Sequence, residues 1–367
     1  MTVSAEPVGL ASPESADEPR RASLLGRVRA LLVGSVLAVA TAELVLRHYC
    51  YVPKAIDPAF GPAFGYVNAP GATARWEREG SGTSHWSARG VRGRAAPDPA
   101  RPHILCLGDS FTEGLQVDDD EVYTARLERL LAARGFSHQV LNSSDAGAAA
   151  PRYVGFAPRY RQIFAPRWTV VQVRDEDFGP AAWVPDAEHF AAASPDAPLR
   201  VVLPPPEGAG GLVRRLLRRL RSGSALTQTL TLQIRGFQND AANWHPFHAE
   251  VAPVTVPPVD PSRFRVSDAL DLLFDGFGGR LTLLYLADRE LAPPSAVERL
   301  IARRCRERGW SCIDTREAHA RMAQEGIPIY GLPNNGVGRG HMNPTGHRLL
   351  AELVAAELAR LAAHDLL

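Results

Sequence analysis

The sequence predicts a three-layer α/β/α domain with a central sheet of about five parallel strands, preceded by one transmembrane helix. Three observations carry this expectation. Short apolar runs alternate with stretches of helical period across the C-terminal two thirds of the chain, the pattern of a parallel sheet covered on both faces. The 367 residues are 45% hydrophobic and 22% charged, the balance of a globular protein and not of a disordered, collagenous or disulfide-dense chain. One apolar run near the N-terminus stands apart from that alternation, with arginines before it.

The strand candidates are His103–Leu107, His138–Asn142, Trp168–Val173, Arg280–Leu286 and Ser311–Thr315. Each is short, apolar and bounded by turn residues or by a helical stretch, as strands buried on both faces should be. Between the first two, Val122, Leu127, Leu130 and Leu131 recur at helical spacing and Gly135 supplies a stop. Helices are expected over Val266–Phe274, Ala296–Arg308 and Thr345–Leu361, the last burying a stripe of Leu349, Leu350, Leu353, Val354 and Leu358.

The apolar run Ala30–Leu46 is seventeen residues long and is interrupted only by Glu43. It is at the short limit for crossing a bilayer core. Arg20, Arg21, Arg27 and Arg29 precede it, while Arg47, His48 and Lys54 follow. The heavier positive flank predicts an N-terminus inside and a body outside, a single-pass protein of the cell membrane with its C-terminal domain extracytoplasmic. A cleaved signal peptide competes with this reading, but the run lacks a small-x-small site before the polar stretch. The expected organisation is a disordered tail over 1–29, an anchor over 30–47, a lead-in rich in Gly, Pro, Trp and Arg over 48–100, and the main domain over 101–365. Trp76 and Trp86 are the candidates for packing the lead-in on that domain. Residues 183–265 break the α/β rhythm with Pro204–Pro206, the basic stretch Leu212–Arg221 and a Pro-Val-rich stretch over Ala252–Pro261; they read as an insertion beside the active face.

A net charge of +1 gives no field that would gather phosphate backbones, and no nucleic-acid motif is present. Cys50, Cys106, Cys305 and Cys312 are scattered without metal-ligand spacing, so neither a metal nor another cofactor is expected. Cys106 reads as core. Cys305 and Cys312 flank a helix-to-strand turn and could pair in an oxidising compartment, although two separate buried thiols is the simpler expectation.

The first strand of the domain runs into Gly108-Asp109-Ser110-Phe111-Thr112-Glu113-Gly114. Ligands bind beyond the carboxyl ends of the strands in such sheets, so Ser110 sits where chemistry belongs. Near the other end, Gly340-His341-Met342-Asn343-Pro344-Thr345-Gly346-His347 precedes the final helix. A serine becomes a nucleophile when a base takes its proton. His341 lies on the loop and is assigned as base; His347 falls in the first turns of the helix and is assigned a structural role.

With these blocks in this order the chain resembles the SGNH (GDSL-type) hydrolases from about Arg101 to Leu361, and its anchor is similar to that of a membrane-tethered bacterial subgroup. The resemblance implies a flavodoxin-like fold, Ser110 as nucleophile with its own N–H as one oxyanion donor, Gly147 of Asn142–Gly147 as a second, and His341 in the terminal histidine block. Two positions depart from the family. Its third block, G-x-N-D, corresponds to Arg174-Asp175-Glu176-Asp177, so Glu176 replaces an amide donor and Arg174 is the candidate substitute. The positions two and three before His341, where the family places its triad aspartate, hold Arg339 and Gly338. The pair then works as a dyad oriented by a backbone carbonyl, or an acid comes from elsewhere, with Asp314 and Glu176 as candidates. Asp109 is expected to brace its turn. The implied activity is extracytoplasmic hydrolysis of an acyl ester on envelope polysaccharide or lipid. A catalytically weak glycan-binding module and an acyltransferase using the same Ser/His pair are the alternatives.

Overall fold

The computed structural model describes residues 24–48, 58–61, 65–68, 70–76, 79–185, 188–194, 196–203, 224, 226, 227, 230, 258–288 and 292–364. The chain divides into two units, Met1–Tyr51 and Val52–Leu367. In the first, helix α1 spans Leu24–His48. It begins before the apolar run, because Leu24, Leu25 and Val28 extend the same helix. Its segment Gly26–Leu46 is long and apolar enough to cross a membrane, and Leu31, Leu32, Val36 and Leu37 stand exposed along it. At 1.5 Å per residue the helix measures ~37 Å, more than the ~30 Å of a hydrocarbon core.

The second unit opens with two antiparallel ribbons, β1 (Pro58–Gly61) with β2 (Gly65–Asn68) and β3 (Thr73–Trp76) with β4 (Gly82–His85). Strands of four residues are too short to show a period in sequence. Trp86 is buried with Ala74 and Leu115, and Trp76 packs on them. Farther on, Arg92 N–H donates to Asn142 O at 2.8 Å. The lead-in therefore covers the edge of the main sheet, whose unpaired backbone groups would otherwise stand open.

That sheet contains β5 (His103–Leu107), β6 (Gln139–Asn142), β7 (Trp168–Val173), β10 (Leu281–Tyr285) and β11 (Ser311–Asp314), all parallel, in the order β11-β10-β7-β5-β6. Every strand lies within one residue of its expected bounds at either end. Counted along the chain the order is 2-1-3-4-5, the flavodoxin-like arrangement, and its switch point falls between β5 and β7. A small ribbon of β8 (His189–Ala191) and β9 (Arg200–Val202) lies outside this sheet.

The helices are α2 (Ser110–Glu113), α3 (Tyr123–Ala133), α4 (Ala150–Phe164), α5 (Val266–Gly276), α6 (Ala296–Arg308), α7 (Arg316–Gln324) and α8 (Pro344–Ala363). Alternate residues of each strand face opposite layers. Leu105, Leu107, Val171 and Leu283 pack with α4, α5 and α6. Ile104, Cys106, Val170 and Leu284 pack with α3, α7 and α8. Helix α4 was absent from the sequence expectation because it carries Pro151, Gly155 and Pro158. Pro151 sits in the first turn, where its missing N–H has no partner to lose. Pro158 is internal and costs about 3 kcal/mol. Burial of Tyr153, Phe156, Tyr160 and Phe164, at ~1.5–3 kcal/mol each, outweighs it.

Cys305 at the end of α6 and Cys312 on β11 form a disulfide with Cα atoms 6.2 Å apart, which corrects the expectation of two separate thiols. Gly309 adopts a left-handed conformation after α6 and turns the chain so that the two sulfurs meet. Cys106 is free and buried, and burial pushes its thiol up to about 12. Pro204–Pro206 and Leu212–Arg221 lie outside the described residues, as does the tail before residue 24. Within the inserted segment, Phe190 and Val259 are buried in the core.

Candidate active site

The site is built on the loops that leave β5, β6 and β7 at the switch point. After β5, Gly108 permits a close approach that no other residue would: a Cβ there would lie 2.2 Å from Thr112 Oγ1 and 2.7 Å from Gln172 Oε1. Asp109 caps α2, its Oδ1 accepting from Phe111 N–H at 2.9 Å, so it braces the turn. Ser110 is the first residue of α2 and remains partly exposed.

Ser110 Oγ lies 2.8 Å from His341 Nε2. On the other side of the ring, His341 Nδ1 lies 2.6 Å from Glu79 Oε2. Glu79 Oε1 accepts from the His341 backbone N–H and from Asn335 Nδ2 at 2.6 Å. A carboxylate facing Nδ1 favours the tautomer with its proton there, leaving Nε2 free to accept from the serine hydroxyl. Burial pulls the Glu79 carboxyl up, but the side-chain and backbone hydrogen bonds from His341 outweigh it and hold the group below its ordinary value. The carboxylate that faces His341 Nδ1 is thus Glu79 of the lead-in, and neither of the acids considered from the sequence, Asp314 and Glu176, stands there. Asp314 accepts instead from Arg316 N–H at 2.9 Å at the far edge of the sheet, and Glu176 is paired with Arg174 at 2.8 Å.

Glu79 reaches the histidine because the lead-in is laced to the loop before α8. Asn334 Oδ1 accepts from Gly80 N–H at 2.6 Å, and Asn334 Nδ2 donates to Gly80 O at 3.1 Å. Gly331 N–H donates to His341 O at 3.1 Å. No local pattern around Glu79 announces this: its partner is 262 residues away.

The loop after β6 is tied to the serine turn. Asp145 N–H donates to Gly108 O at 3.2 Å, and Ala146 N–H donates to Glu113 Oε2 at 3.0 Å. The next residue, Gly147, has φ +80°, which glycine adopts at no steric cost. Among the described residues, neither Ser110 N–H nor Gly147 N–H has a protein acceptor, so both are available to a ligand.

After β7, Arg174–Asp177 forms a tight turn in which Asp177 Oδ2 accepts from Arg174 N–H at 2.7 Å. Asp177 is buried; its burial and the neighbouring Asp109 push its carboxyl well above the ordinary range. Asp109 is raised as well, chiefly by burial.

His347 is buried on α8, and its Nδ1 accepts from Tyr123 N–H at 3.4 Å. Burial, and then the charges of Arg92 and Arg126, lower its pKa to about 3. Because the folded state resists protonation while the unfolded chain titrates near 6.5, this residue's contribution to stability is lost as pH falls from about 6.5 toward 3, at ~1.4 kcal/mol per pH unit. His347→Gln is expected to flatten the fall of Tm across that range while altering ester turnover much less than His341→Ala does. Thermal unfolding scans from pH 7 to pH 4, beside the turnover of both variants, check this.

No family model matches the chain, and no curated protein matches it. Among solved structures it is similar to a member of the lipolytic protein G-D-S-L family from Veillonella parvula, at 13% identity over 71% of this chain and 99% of that one, with a TM-score of 0.37. It is similar to the lipase/acylhydrolase from Enterococcus faecalis, at 14% identity over 70% and 95%, TM-score 0.37. A catalytic mutant of Axe2, an acetylxylan esterase from Geobacillus stearothermophilus, matches at 14% identity over 70% and 93%, TM-score 0.37. With its 2-1-3-4-5 parallel sheet and its serine turn after the first of those strands, this chain has a three-layer α/β/α fold of flavodoxin-like strand order.

Proposed function

We propose that the protein is a membrane-anchored, extracytoplasmic serine esterase in which Ser110, His341 and Glu79 form the triad. The observation that carries this is the continuous relay from Ser110 Oγ to His341 Nε2 at 2.8 Å and from His341 Nδ1 to Glu79 at 2.6 Å. In the first half-reaction Ser110 Oγ attacks the ester carbonyl carbon as its proton passes to His341 Nε2. Glu79 stays ionised and stabilises the imidazolium. The carbonyl oxygen takes up negative charge and is met by the N–H groups of Ser110 and Gly147, each such donor being worth about 2.7–4 kcal/mol. The tetrahedral intermediate then expels the alcohol, which takes the proton from His341. In the second half-reaction water attacks the acyl-enzyme, gives one proton to His341, and releases the acid and free Ser110.

The glycan-binding alternative drew its support from Glu176 in place of an amide donor and from a missing acid; the Glu79 carboxylate beside His341 speaks against the second of these. The location rests on α1 with its arginine-rich leading flank. It rests also on the Cys305–Cys312 disulfide, a bond that persists in oxidising compartments.

The test is covalent labelling. The full-length protein in detergent, treated with an organophosphonate ester, is expected to gain one adduct, mapped by peptide mass spectrometry to Ser110, and to lose turnover of a short-chain aryl ester in proportion. Absence of an adduct on Ser110 under conditions that leave the protein folded would refute the nucleophile assignment.

A further inference from the structure

Arg174 occupies an unusual position for a charged residue beside a nucleophile. It leaves β7 at the switch point, and its guanidinium carbon lies 4.8 Å from the centroid of the Phe111 ring. Phe111 directly follows Ser110, and its ring centroid lies 4.8 Å from that of His341. One flat ring therefore contacts both the cation and the catalytic base. Stacking on an aromatic face restrains a guanidinium while leaving its N–H edge open to a ligand.

That edge is mostly unused. Arg174 Nη2 donates to Glu176 Oε1 at 2.8 Å, and among the described residues no other side-chain donor of Arg174 has an acceptor. The Glu176 side chain is 49% exposed and that of Arg174 32%. An exposed ion pair of this kind is worth little and exchanges readily with another anion. The other acidic groups here make no hydrogen bond to the fork, although Asp109 and Asp177 feel its charge. Asp175 accepts from Tyr285 Oη at 2.7 Å, Asp177 is buried and raised, and Glu79 is committed to His341. A second cation, Arg339, stands exposed two residues before His341 and forms no ion pair among the described residues.

We infer that Arg174 is a specificity-determining residue that binds an anionic group, a carboxylate or phosphate, carried by the substrate near its scissile ester. This deepens the esterase reading and rests on it for the position of the ester. A planar guanidinium matches a two-oxygen anion through two parallel hydrogen bonds, which a neutral sugar or alkyl chain cannot supply.

The experiment separates this inference from the esterase reading by measuring binding without turnover. Full-length Ser110→Ala protein is titrated by NMR with two isosteric pairs. One pair is 4-acetoxybenzoate and 4-acetoxybenzamide, with the charge on the alcohol side. The other is the phenyl monoester of succinic acid and phenyl 4-amino-4-oxobutanoate, with the charge on the acyl side. In one of the pairs the anion is expected to bind about tenfold more tightly than its amide, the scale of one charge-assisted contact. Adding Arg174→Gln to Ser110→Ala should remove that preference, and Arg174→Lys should retain part of it. Methyl phosphate as a competitor then tells whether phosphate is accepted as well as carboxylate. Equal affinities within both pairs, or a preference that survives Arg174→Gln, would overturn the inference. A failure of the otherwise native protein to hydrolyse any of the four esters would count against the esterase reading alone. If instead Arg174→Gln in the Ser110-containing protein lowers kcat for charged and neutral esters equally, with KM unmoved, Arg174 is an oxyanion donor and the anion-binding role is wrong.

Discussion

Ser110→Ala is expected to lower kcat for a short-chain aryl ester by about 10⁴–10⁶-fold, to the level left by binding and the oxyanion donors alone. In the proposed mechanism the hydroxyl is the nucleophile, and no neighbouring group can take its place: Asp109 is turned back on Phe111 N–H at 2.9 Å, and Glu79 lies on the far side of His341. The fold should not register the change. Ser110 is partly exposed, its Oγ bonds to His341, and the four-residue helix that begins there is held by the Asp109 cap and by the close fit of Gly108. His341→Ala should fall to a similar level, and the double variant should be little worse than either, because residues that move one proton fail as a unit. Steady-state rates on the three variants, with Tm as the control for folding, decide the matter. A Ser110→Ala protein that keeps more than a tenth of its activity would leave no role for the relay.

The sheet was legible because its strands are buried on both faces. His103–Leu107, Trp168–Val173 and Leu281–Tyr285 are apolar apart from His103, Thr169, Gln172 and Thr282, which are themselves buried, and a run of that kind between turn residues has few other places to go. Helices α6 and α8 were legible for a related reason, since their apolar stripes keep the helical period and their first turns carry Ser295 and Asn343 as caps. Helix α4 was hidden by its prolines: a local rule was outweighed by burial that only the assembled core supplies. The serine and the histidine could be found because each sits in a dense block beside a strand end or a helix start. Glu79 could not. It lies in a segment without period, between strands of four residues, and what gives it meaning is the pairing of Gly80 with Asn334 and of Glu79 itself with Asn335 and His341, far along the chain. One signal was available in retrospect. A loop that offers a nucleophile and a base but places Gly338 and Arg339 where an acid is needed implies that the acid comes from another segment, and Glu-Gly at 79–80 is one of the turn sequences in the lead-in that could deliver one.

Glu79→Gln is expected to lower kcat by about 10⁴-fold, on the scale of an acid-to-amide change in a serine triad. The amide is nearly isosteric, so the loss comes from chemistry and not from packing. A glutamine can accept through one oxygen only. If that oxygen keeps the contact with the His341 backbone N–H and with Asn335 Nδ2, its NH₂ faces His341 Nδ1, which must then be the unprotonated nitrogen. The ring proton moves to Nε2, where it opposes Ser110 and removes the acceptor that serine needs. The charge that stabilises the imidazolium is lost at the same time. Glu79→Asp keeps the charge but is shorter by one methylene and cannot reach both the ring and the backbone N–H of His341, so a smaller loss is expected. Stability gives an independent reading of the same group. Its carboxyl titrates lower in the folded protein than in the unfolded chain, so its contribution is present above about pH 4.5 and is lost as pH falls through the folded value. The Tm difference between the native protein and Glu79→Gln should therefore be largest near neutrality and shrink below pH 4. If Glu79→Gln retains activity within tenfold and its Tm difference does not change with pH, then some other group orients His341, and the lead-in is a cover for the sheet edge and nothing more.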